Sequence, residues 1–303
     1  MPDGTVAAKP RRSKLLAVPP KAAEPSRPKI CIYGREGIGK TFFALQFPSC
    51  YFIDTESGAT RKHYIDLLEK AGGGYMGIQQ NSLDFSTVIG QIQALATERH
   101  IYKTVVIDSI TKLFNTAIAD EAERLGDRNA YGADKKKAVQ YMRSLCTWLM
   151  RIDMSVVLTA HQKDVWGIGD NKQREVVSVG PDVWDKLPYE LDLTINIQEA
   201  GPRRFGRIGK SRLKAFPKNE TFNFDFETFA EMYGREIIEA ESKNLDLATD
   251  EQVAEITRLL DIVKLAEGQE ERWLAAASAE TWSEVDADKA AKVIEALKAK
   301  MVG

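Results

Sequence analysis

One stretch constrains the fold of this chain more than any other. Residues 31–41 read CIYGREGIGKT, in which the glycines, Lys40 and Thr41 have the spacing G-x-x-x-x-G-K-[ST]. In that pattern, consecutive backbone N–H groups surround phosphate oxygens. Residues 29–33 alternate and are rich in β-formers, whereas residues 41–47 have helical character. The sequence therefore predicts a strand, a phosphate-binding loop and a helix, which together begin an α/β fold.

The residue types in this loop suit a nucleoside triphosphate. A helix that starts directly after the loop attracts anions at its N-terminus. Lys40 has the reach to contact the β- and γ-phosphates, and Thr41 offers a hydroxyl to Mg²⁺. ATP and Mg²⁺ are therefore the predicted cofactors.

Two apolar strands further along the chain end in carboxylates. Residues 49–54 precede Glu56, and residues 102–107 precede Asp108. Strands of an open parallel sheet end at the same edge as the phosphate loop. We predict Glu56 as the base that polarises the attacking water, and Asp108 with Thr41 as the Mg²⁺ ligands. A turn glutamate exposed to solvent and a strand that ends in aspartate by chance are the alternatives.

Another apolar run, residues 155–160, ends in His161 and Gln162. Polar groups at this edge can contact the γ-phosphate, so one of the two is predicted to sense it, and the alternative is a histidine that only caps the strand. The residues predicted to contact the nucleotide are Gly34, Arg35, Glu36, Gly37, Ile38, Gly39, Lys40, Thr41, Phe42 and Asp108.

Two segments mix cations with aromatic rings. Residues 125–137 are basic and interrupted by glycine, and residues 163–187 form a polar stretch too long for an ordinary connection. Such mixtures bind single-stranded nucleic acid by phosphate attraction and base stacking. Internal packing of the tryptophans is the alternative. The predicted DNA-binding residues are Arg128, Tyr131, Lys135, Lys136, Lys163, Trp166, Lys172 and Arg174.

A basic segment late in the chain, residues 203–216, alternates like antiparallel strands. Within it, Lys210 and Arg212 are two residues apart, so both side chains point to one face of a strand. The phosphate loop already has its own lysine, and these two cations are therefore expected to serve another molecule's phosphates. There are two alternatives for the face that carries these cations: it follows the DNA backbone, or it is only solvated.

Composition limits the remaining possibilities. The chain has 303 residues, 44% of them hydrophobic, and a net charge of −2, so affinity for nucleic acid must come from local basic patches. No apolar run is long enough to span a membrane, which leads us to expect a cytoplasmic protein. The predicted domains are a disordered basic tail (1–28), an ATPase core (29–240), a linker (241–248) and a small helical domain (249–303).

The order phosphate loop, FIDTE, VVIDS, LTAHQ and late basic hairpin resembles the RecA-like recombinase ATPases. More closely, it resembles the RecA-like subgroup of the phage single-strand annealing proteins of the Sak family, also described as phage nucleotide-binding AAA-type ATPases. The resemblance covers about residues 29 to 235. It implies a RecA-like P-loop core, with a mostly parallel sheet flanked by helices and a late antiparallel hairpin, followed by a small C-terminal helical module.

The resemblance also implies a function. It suggests a DNA-stimulated ATPase that coats single-stranded DNA as a ring or filament of identical subunits and promotes annealing or homologous pairing in phage recombination, in the host bacterial cytoplasm. Residues 126–137 and 163–187 correspond in position to the two DNA-binding loops of recombinases. Lys210 and Arg212 correspond to cations that complete the neighbouring subunit's ATP site, so the predicted catalytic set is Glu56, Lys40, His161, Gln162, Lys210 and Arg212. A single-strand-binding protein is a further candidate partner. A helicase or helicase loader of this fold, and a regulatory ATPase switch that binds no DNA, are the alternatives.

Overall fold

The computed structural model describes residues 26–58, 61–129, 132–168, 173–263 and 265–302. Within these residues, nine strands form the sheet system on which the chain is built. The strands are β1 (Lys29–Gly34), β2 (Cys50–Asp54), β3 (Gly74–Met76), β4 (Thr104–Asp108), β5 (Ser155–Ile168), β6 (Arg174–Pro181), β7 (Leu193–Ala200), β8 (Arg203–Ser211) and β9 (Thr221–Asn223).

Helices connect and cover these strands. The α-helices are α1 (Lys40–Ala44), α2 (Lys62–Lys70), α3 (Phe85–Thr97), α4 (Ile110–Leu125), α5 (Ala133–Arg151), α6 (Leu187–Glu190), α7 (Phe226–Tyr233), α8 (Arg235–Glu239), α9 (Asp250–Ile262), α10 (Gln269–Ala277) and α11 (Ala287–Val302). Short 3-10 turns cover Ile78–Gln80, Gly126–Arg128 and Trp282–Glu284. None of the helices described is both long and apolar enough to cross a membrane.

The strand order is β3-β2-β4-β5-β1-β7-β8-β9. Along this order, β3, β2, β4, β5, β1 and β7 pair in parallel with one another, whereas β8 and β9 pair antiparallel. β6 lies off this path and pairs antiparallel with β5. Every residue of β1 and β4 is buried, because one apolar core containing α3, α4 and α5 lies on one face and a second containing α1 and α7 lies on the other. This topology confirms the predicted fold class, an α/β core in which helices flank a mostly parallel sheet, with a late antiparallel hairpin and a small helical module.

Residues 163–187 differ from the long loop predicted for them. β5 continues through Ile168 and pairs antiparallel with β6, which makes a β-hairpin, called here the β5–β6 hairpin. Beyond His161, the pairs of β5 are with β6 only, so the hairpin extends past the edge of the main sheet. Most of its residues are exposed on both faces, and the sequence therefore lacks the polar and apolar alternation of a half-buried strand. Residues 169–172, which include the predicted DNA contact Lys172, lie outside the described residues.

The first basic segment is also more ordered than predicted. Helix α5 begins at Ala133, so Lys135 and Lys136 lie in its first turns and not in a loop, and both are exposed. Arg128 belongs to the short 3-10 turn before it, and Tyr131 lies outside the described residues. The three consecutive lysines favoured a charged loop in the prediction. Lysine is a good helix former, however, and all three belong to α5.

Part of the predicted tail packs against the core. The buried Arg27 side chain donates to the carbonyl oxygen of Glu241 at 2.6 Å and pairs with Asp153 at 3.3 Å. These contacts attach Arg27 to the core, although the prediction had assigned it to the tail. Residues 1–25 lie outside the described residues.

The C-terminal helices have a small apolar core of their own around Trp282. Helix α9 begins with a capping box, in which Thr249 and Gln252 each satisfy the other's backbone N–H. Arg151 of α5 joins this module to the main core, because its guanidinium donates to Asp286 at 2.9 Å. The module therefore lies against the main core and does not extend away from it.

Candidate functional site

The phosphate loop, residues 34–41, lies between β1 and α1 at the carboxyl edge of the sheet. It opens on a cavity of about 810 Å³, within the usual size for a small-molecule site. The cavity is lined by Gly34, Arg35, Glu36, Gly37, Ile38, Gly39, Lys40, Thr41, Glu56, Tyr64, Asp108, His161 and Gln162. Phe42 is exposed on α1 and is not among these residues. The fold therefore brings together every other predicted nucleotide contact.

Two glycines make the loop conformation possible. Gly37 and Gly39 have φ angles of 67° and 102°, in the left-handed region where other residues are strained. The Lys40 ammonium folds over the loop and donates to the carbonyl oxygens of Gly34 at 3.0 Å and Arg35 at 2.8 Å. Burial lowers the pKa of Lys40, and the neighbouring carboxylates, led by Asp108, act against that shift. The lysine is therefore already at the position where phosphate oxygens would replace the two carbonyls.

The two predicted magnesium ligands are in contact. The Thr41 hydroxyl donates to one carboxylate oxygen of Asp108 at 2.5 Å, and the Thr159 hydroxyl donates to the other. Burial raises the pKa of Asp108, while these two hydrogen bonds lower it. A hydroxyl and a carboxylate are hard oxygen donors that fit Mg²⁺, which takes its remaining ligands from phosphates and water. No cluster of three or more metal-ligating side chains occurs in the described part of the chain, so the protein alone offers no complete cage.

Glu56 lies just past the carboxyl ends of β2 and β4, beside β5. Its Oε1 accepts a hydrogen bond from the Ser109 hydroxyl, just after β4, and lies 2.6 Å from Nε2 of His161 on β5. A carboxylate held from two sides beside the phosphate loop is suitably placed to orient and deprotonate a water molecule. His161 is thus a direct partner of the predicted base.

The Gln162 side chain projects to the face of β5 opposite that of His161. Neighbouring residues of a strand project to opposite faces, and the Gln162 side-chain oxygen accepts from Asn196 Nδ2 on β7 at 3.1 Å. The Asn196 side-chain oxygen in turn accepts from Gln198 at 3.0 Å. Both predicted sensor residues line the cavity, but His161 contacts Glu56, the predicted base, and Gln162 begins a chain of amides across the sheet.

Lys210 and Arg212 are far from this cavity. Because β8 runs antiparallel to β7, its first residues are at the cavity edge and its last residues at the opposite edge. Lys210 donates to the carbonyl oxygen of Leu191, and Arg212 donates to that of Tyr189. Neither cation can contact the phosphate loop of its own chain, so their predicted role at a neighbouring subunit's site stays a prediction.

Sequence reasoning did not single out Arg204 as a residue near the nucleotide. A Cβ atom added to Gly39 would lie 3.0 Å from one nitrogen of the Arg204 guanidinium, so this cation lies directly against the phosphate loop. Its nearest acidic partner is Glu199, at 3.8 Å. Tyr64 of α2 was missed as well. The basic pattern of residues 203–216 included Arg204, but only the fold brings it beside a loop so distant in sequence.

The predicted DNA contacts that the structure describes lie on the surface. Trp166 is 54% exposed and the Arg174 guanidinium lies 5.7 Å from the centre of its ring, so internal packing does not account for this tryptophan. Trp184, in contrast, packs against the main core, as the packing alternative expects. Lys163 pairs with Asp185 at 2.8 Å.

Comparison with known proteins agrees with this geometry. The family model described as AAA domain matches residues 26–223, well over half of the chain. None of the curated protein sequences matches the chain significantly.

The solved structures similar to the chain include a recombinase and a secretion-system ATPase. One is the crystal structure of the RadB recombinase, at 16% identity over 67% of this chain and 90% of that chain, with a TM-score of 0.42. The other is a prototypical ATPase from the type III secretion system of pathogenic bacteria, at 13% identity over 90% of this chain and 79% of that chain, with a TM-score of 0.41. Both likenesses are too distant to say anything of function. The phosphate-loop geometry and the family match together establish that this chain belongs to the AAA domain family and carries a P-loop ATPase domain.

Proposed function

We propose that the protein hydrolyses ATP and binds single-stranded DNA as an oligomer, and that it promotes annealing or homologous pairing in phage DNA recombination. One observation carries this proposal. A single continuous strand, β5, holds His161 against Glu56 and, five residues later, exposes Trp166 on the β5–β6 hairpin. A ligand that binds the hairpin therefore acts on the strand that positions the catalytic carboxylate.

The residues of the cavity divide the work of hydrolysis. Lys40 neutralises charge on the β- and γ-phosphates, and the backbone N–H groups of the phosphate loop surround them. Thr41 and Asp108 would hold Mg²⁺, which supplies charge neutralisation between the phosphates. Glu56 orients the attacking water and takes its proton, while His161 and Ser109 fix the carboxylate.

The surface of the hairpin supports DNA binding. Trp166 offers an exposed ring for base stacking, and Arg174 beside it offers a cation for a phosphate. Exposed Lys135 and Lys136 on α5, with Arg128 before them, provide a second group of cations. The chain has almost no net charge, so such local groups must supply the attraction.

We also propose that Lys210 and Arg212 act at the ATP site of a neighbouring subunit. They cannot reach the phosphate loop of their own chain, and a cation supplied in trans stabilises transition-state charge. Lys210→Ala/Arg212→Ala protein should regain activity on single-stranded DNA when mixed with inactive Lys40→Ala protein. Absence of recovery in mixed oligomers would refute this role.

The proposed function is tested by measuring ATP turnover with Mg²⁺, with and without oligo-dT, together with annealing of complementary strands. We expect oligo-dT to accelerate turnover, Lys40→Ala to abolish it, and complementary strands to anneal without unwinding of forked duplexes. Unwinding of a fork would indicate a helicase instead. Turnover without any salt-sensitive binding of oligo-dT would indicate a regulatory switch, because phosphate contacts make DNA affinity fall steeply with salt.

A further inference from the structure

A second cleft, separate from the nucleotide cavity, lies between the β5–β6 hairpin and the sheet formed by β1, β7 and β8. Its volume is about 640 Å³, enough for a group the size of a nucleotide. One wall is apolar and consists of β6 residues, among them Val176, Val177 and Val179. The floor is polar and consists of Thr194, Asn196, Gln198 and residues of β8.

The charges in the cleft are all of one sign. Arg207, Lys210 and Lys218 line it, and none of the described residues lining it is an aspartate or glutamate. Arg207 and Lys218 make no ion pair or side-chain hydrogen bond with any residue that the structure describes. Unpaired cations around a cleft that lacks carboxylates are the composition of an anion-binding site.

A tyrosine hydroxyl supplies a hydrogen-bond donor to the same cleft. Tyr33 of β1 is only 5% exposed and lines the cleft, yet its phenol has no hydrogen-bond partner among the described residues. Within the described residues, Ser155 Oγ is the one fully buried side-chain polar atom without a partner, so the Tyr33 phenol oxygen is accessible from the cleft and can donate to a ligand there. A hypothetical Cβ on Gly209 would be 3.1 Å from the phenol oxygen, so the lack of a side chain at that position keeps the phenol accessible.

An aromatic ring lies next to the cleft. Trp166 pairs across the β5–β6 hairpin with Val176, which lines the cleft. A ring for stacking beside cations for phosphates is how proteins hold a single strand without reading its sequence.

We propose that this cleft binds the phosphodiester backbone of single-stranded DNA, with Arg207 and Lys218 on the phosphates, the Tyr33 phenol donating to a phosphate oxygen, and a base stacked on Trp166. The inference rests on the proposed function and adds the path of the strand. It differs from a path along α5, which does not border the cleft.

The floor of the cleft also connects it to the ATPase site. Gln198 donates to Asn196, and Asn196 donates to Gln162, which lines the nucleotide cavity. Gln198 and Asn196 both line the cleft. DNA that displaces Gln198 therefore changes the hydrogen bonds of Gln162, and this chain of amides is the route by which the strand accelerates turnover.

The test measures oligo-dT affinity against salt concentration for Arg207→Ala/Lys218→Ala protein. Each lost phosphate contact on a single strand reduces the slope of log K against log[salt] by about 0.7, so the double variant should lose about 1.4. Arg207→Lys should retain most of the slope, because its charge remains. The matched control is Lys214→Ala, which removes an exposed lysine of the same segment outside the cleft and should keep the full slope.

The outcomes separate the possibilities. If wild-type protein binds oligo-dT and the double variant keeps the full slope, the cleft is not the DNA site, and the proposed function still stands. No binding of oligo-dT by wild-type protein overturns both. The double variant could instead bind DNA normally, lose ATP turnover and regain it when mixed with Lys40→Ala protein. That result would assign the cleft to a neighbouring subunit's nucleotide and would also overturn the inference. If the double variant fails to fold by circular dichroism, the single Arg207→Gln variant should lose about 0.7 of the slope.

Gln198→Ala tests the connection to the ATPase site. Oligo-dT should bind this variant yet increase its turnover several-fold less than it increases that of wild-type protein. Equal stimulation in the two proteins would refute the amide route.

Discussion

Replacing Glu56 with glutamine removes the predicted base and little else. In the structure, Oε1 of Glu56 lies 2.6 Å from His161 Nε2 and also accepts from the Ser109 hydroxyl. The glutamine oxygen can accept both hydrogen bonds, so the side chain should keep its orientation while losing its ability to take a proton. General base assistance is worth about 10²- to 10⁴-fold, or about 3 to 5 kcal/mol of activation free energy. We therefore expect kcat to fall at least about 10²-fold.

ATP affinity should not weaken in the same variant. Glu56 is one of the carboxylates near Lys40, so the substitution removes a negative charge from a cavity that must accept phosphates. The assay measures phosphate release at saturating ATP and the Kd of a fluorescent ATP analogue. Glu36→Gln is the matched control: it removes the same charge from the same cavity without touching the His161 contact, and it should change kcat less than about tenfold. A kcat for Glu56→Gln within tenfold of wild type would refute the assignment.

The His161 contact gives a further check on this reasoning. If His161 acts by positioning Glu56, His161→Ala should lower kcat when Glu56 is present, but it should not lower kcat further in the Glu56→Gln variant. Equal losses in the two backgrounds would show that His161 acts independently, for example on the phosphates themselves.

Three further predictions concern other parts of the molecule. Arg204→Ala should raise the Kd for ATP about three- to tenfold, because a half-exposed cation against the phosphate loop is lost, whereas Arg203→Ala should not; equal values would remove Arg204 from the site. Trp166→Ala should weaken oligo-dT binding by about 1 to 3 kcal/mol through lost stacking, and unchanged affinity with an intact fold would contradict it. Burial lowers the pKa of Lys29 from 10.5 to about 7, so the unfolded chain binds the extra proton between those pH values and stability rises with pH across that window. Urea unfolding from pH 7 to 9.5 should show this rise, up to about 1.4 kcal/mol per pH unit, in wild type but not in Lys29→Met, and parallel curves would refute it.

The parts of the molecule predicted from sequence are those fixed by local pattern. Three strands are continuous apolar runs: β1 before the phosphate loop, β2 before Glu56, and β4, which ends in Asp108. Their carboxyl ends meet because the sheet is parallel. The G-x-x-x-x-G-K-[ST] spacing of the phosphate loop is also a local pattern, and it predicted the position of the nucleotide cavity. Most of the candidate nucleotide site could therefore be predicted before its geometry was seen.

The remainder depends on contacts between residues far apart in sequence. The β5–β6 hairpin has no buried face to impose alternation, and its register depends on pairing such as that of Trp166 with Val176. Arg204 approaches Gly39 only because the turn between β7 and β8 returns to the carboxyl edge of the sheet. The cleft likewise combines Tyr33 with residues of β6 and β8, and no spacing along the chain could reveal it.

The most direct test of the account is the rate of ATP hydrolysis with and without saturating single-stranded DNA. β5 joins the His161 contact with Glu56, the predicted base, to the exposed hairpin. DNA should therefore raise kcat several-fold in wild-type protein, and Lys40→Ala should show no turnover in either condition. Turnover that stays the same while the protein is demonstrably bound to DNA would contradict the account.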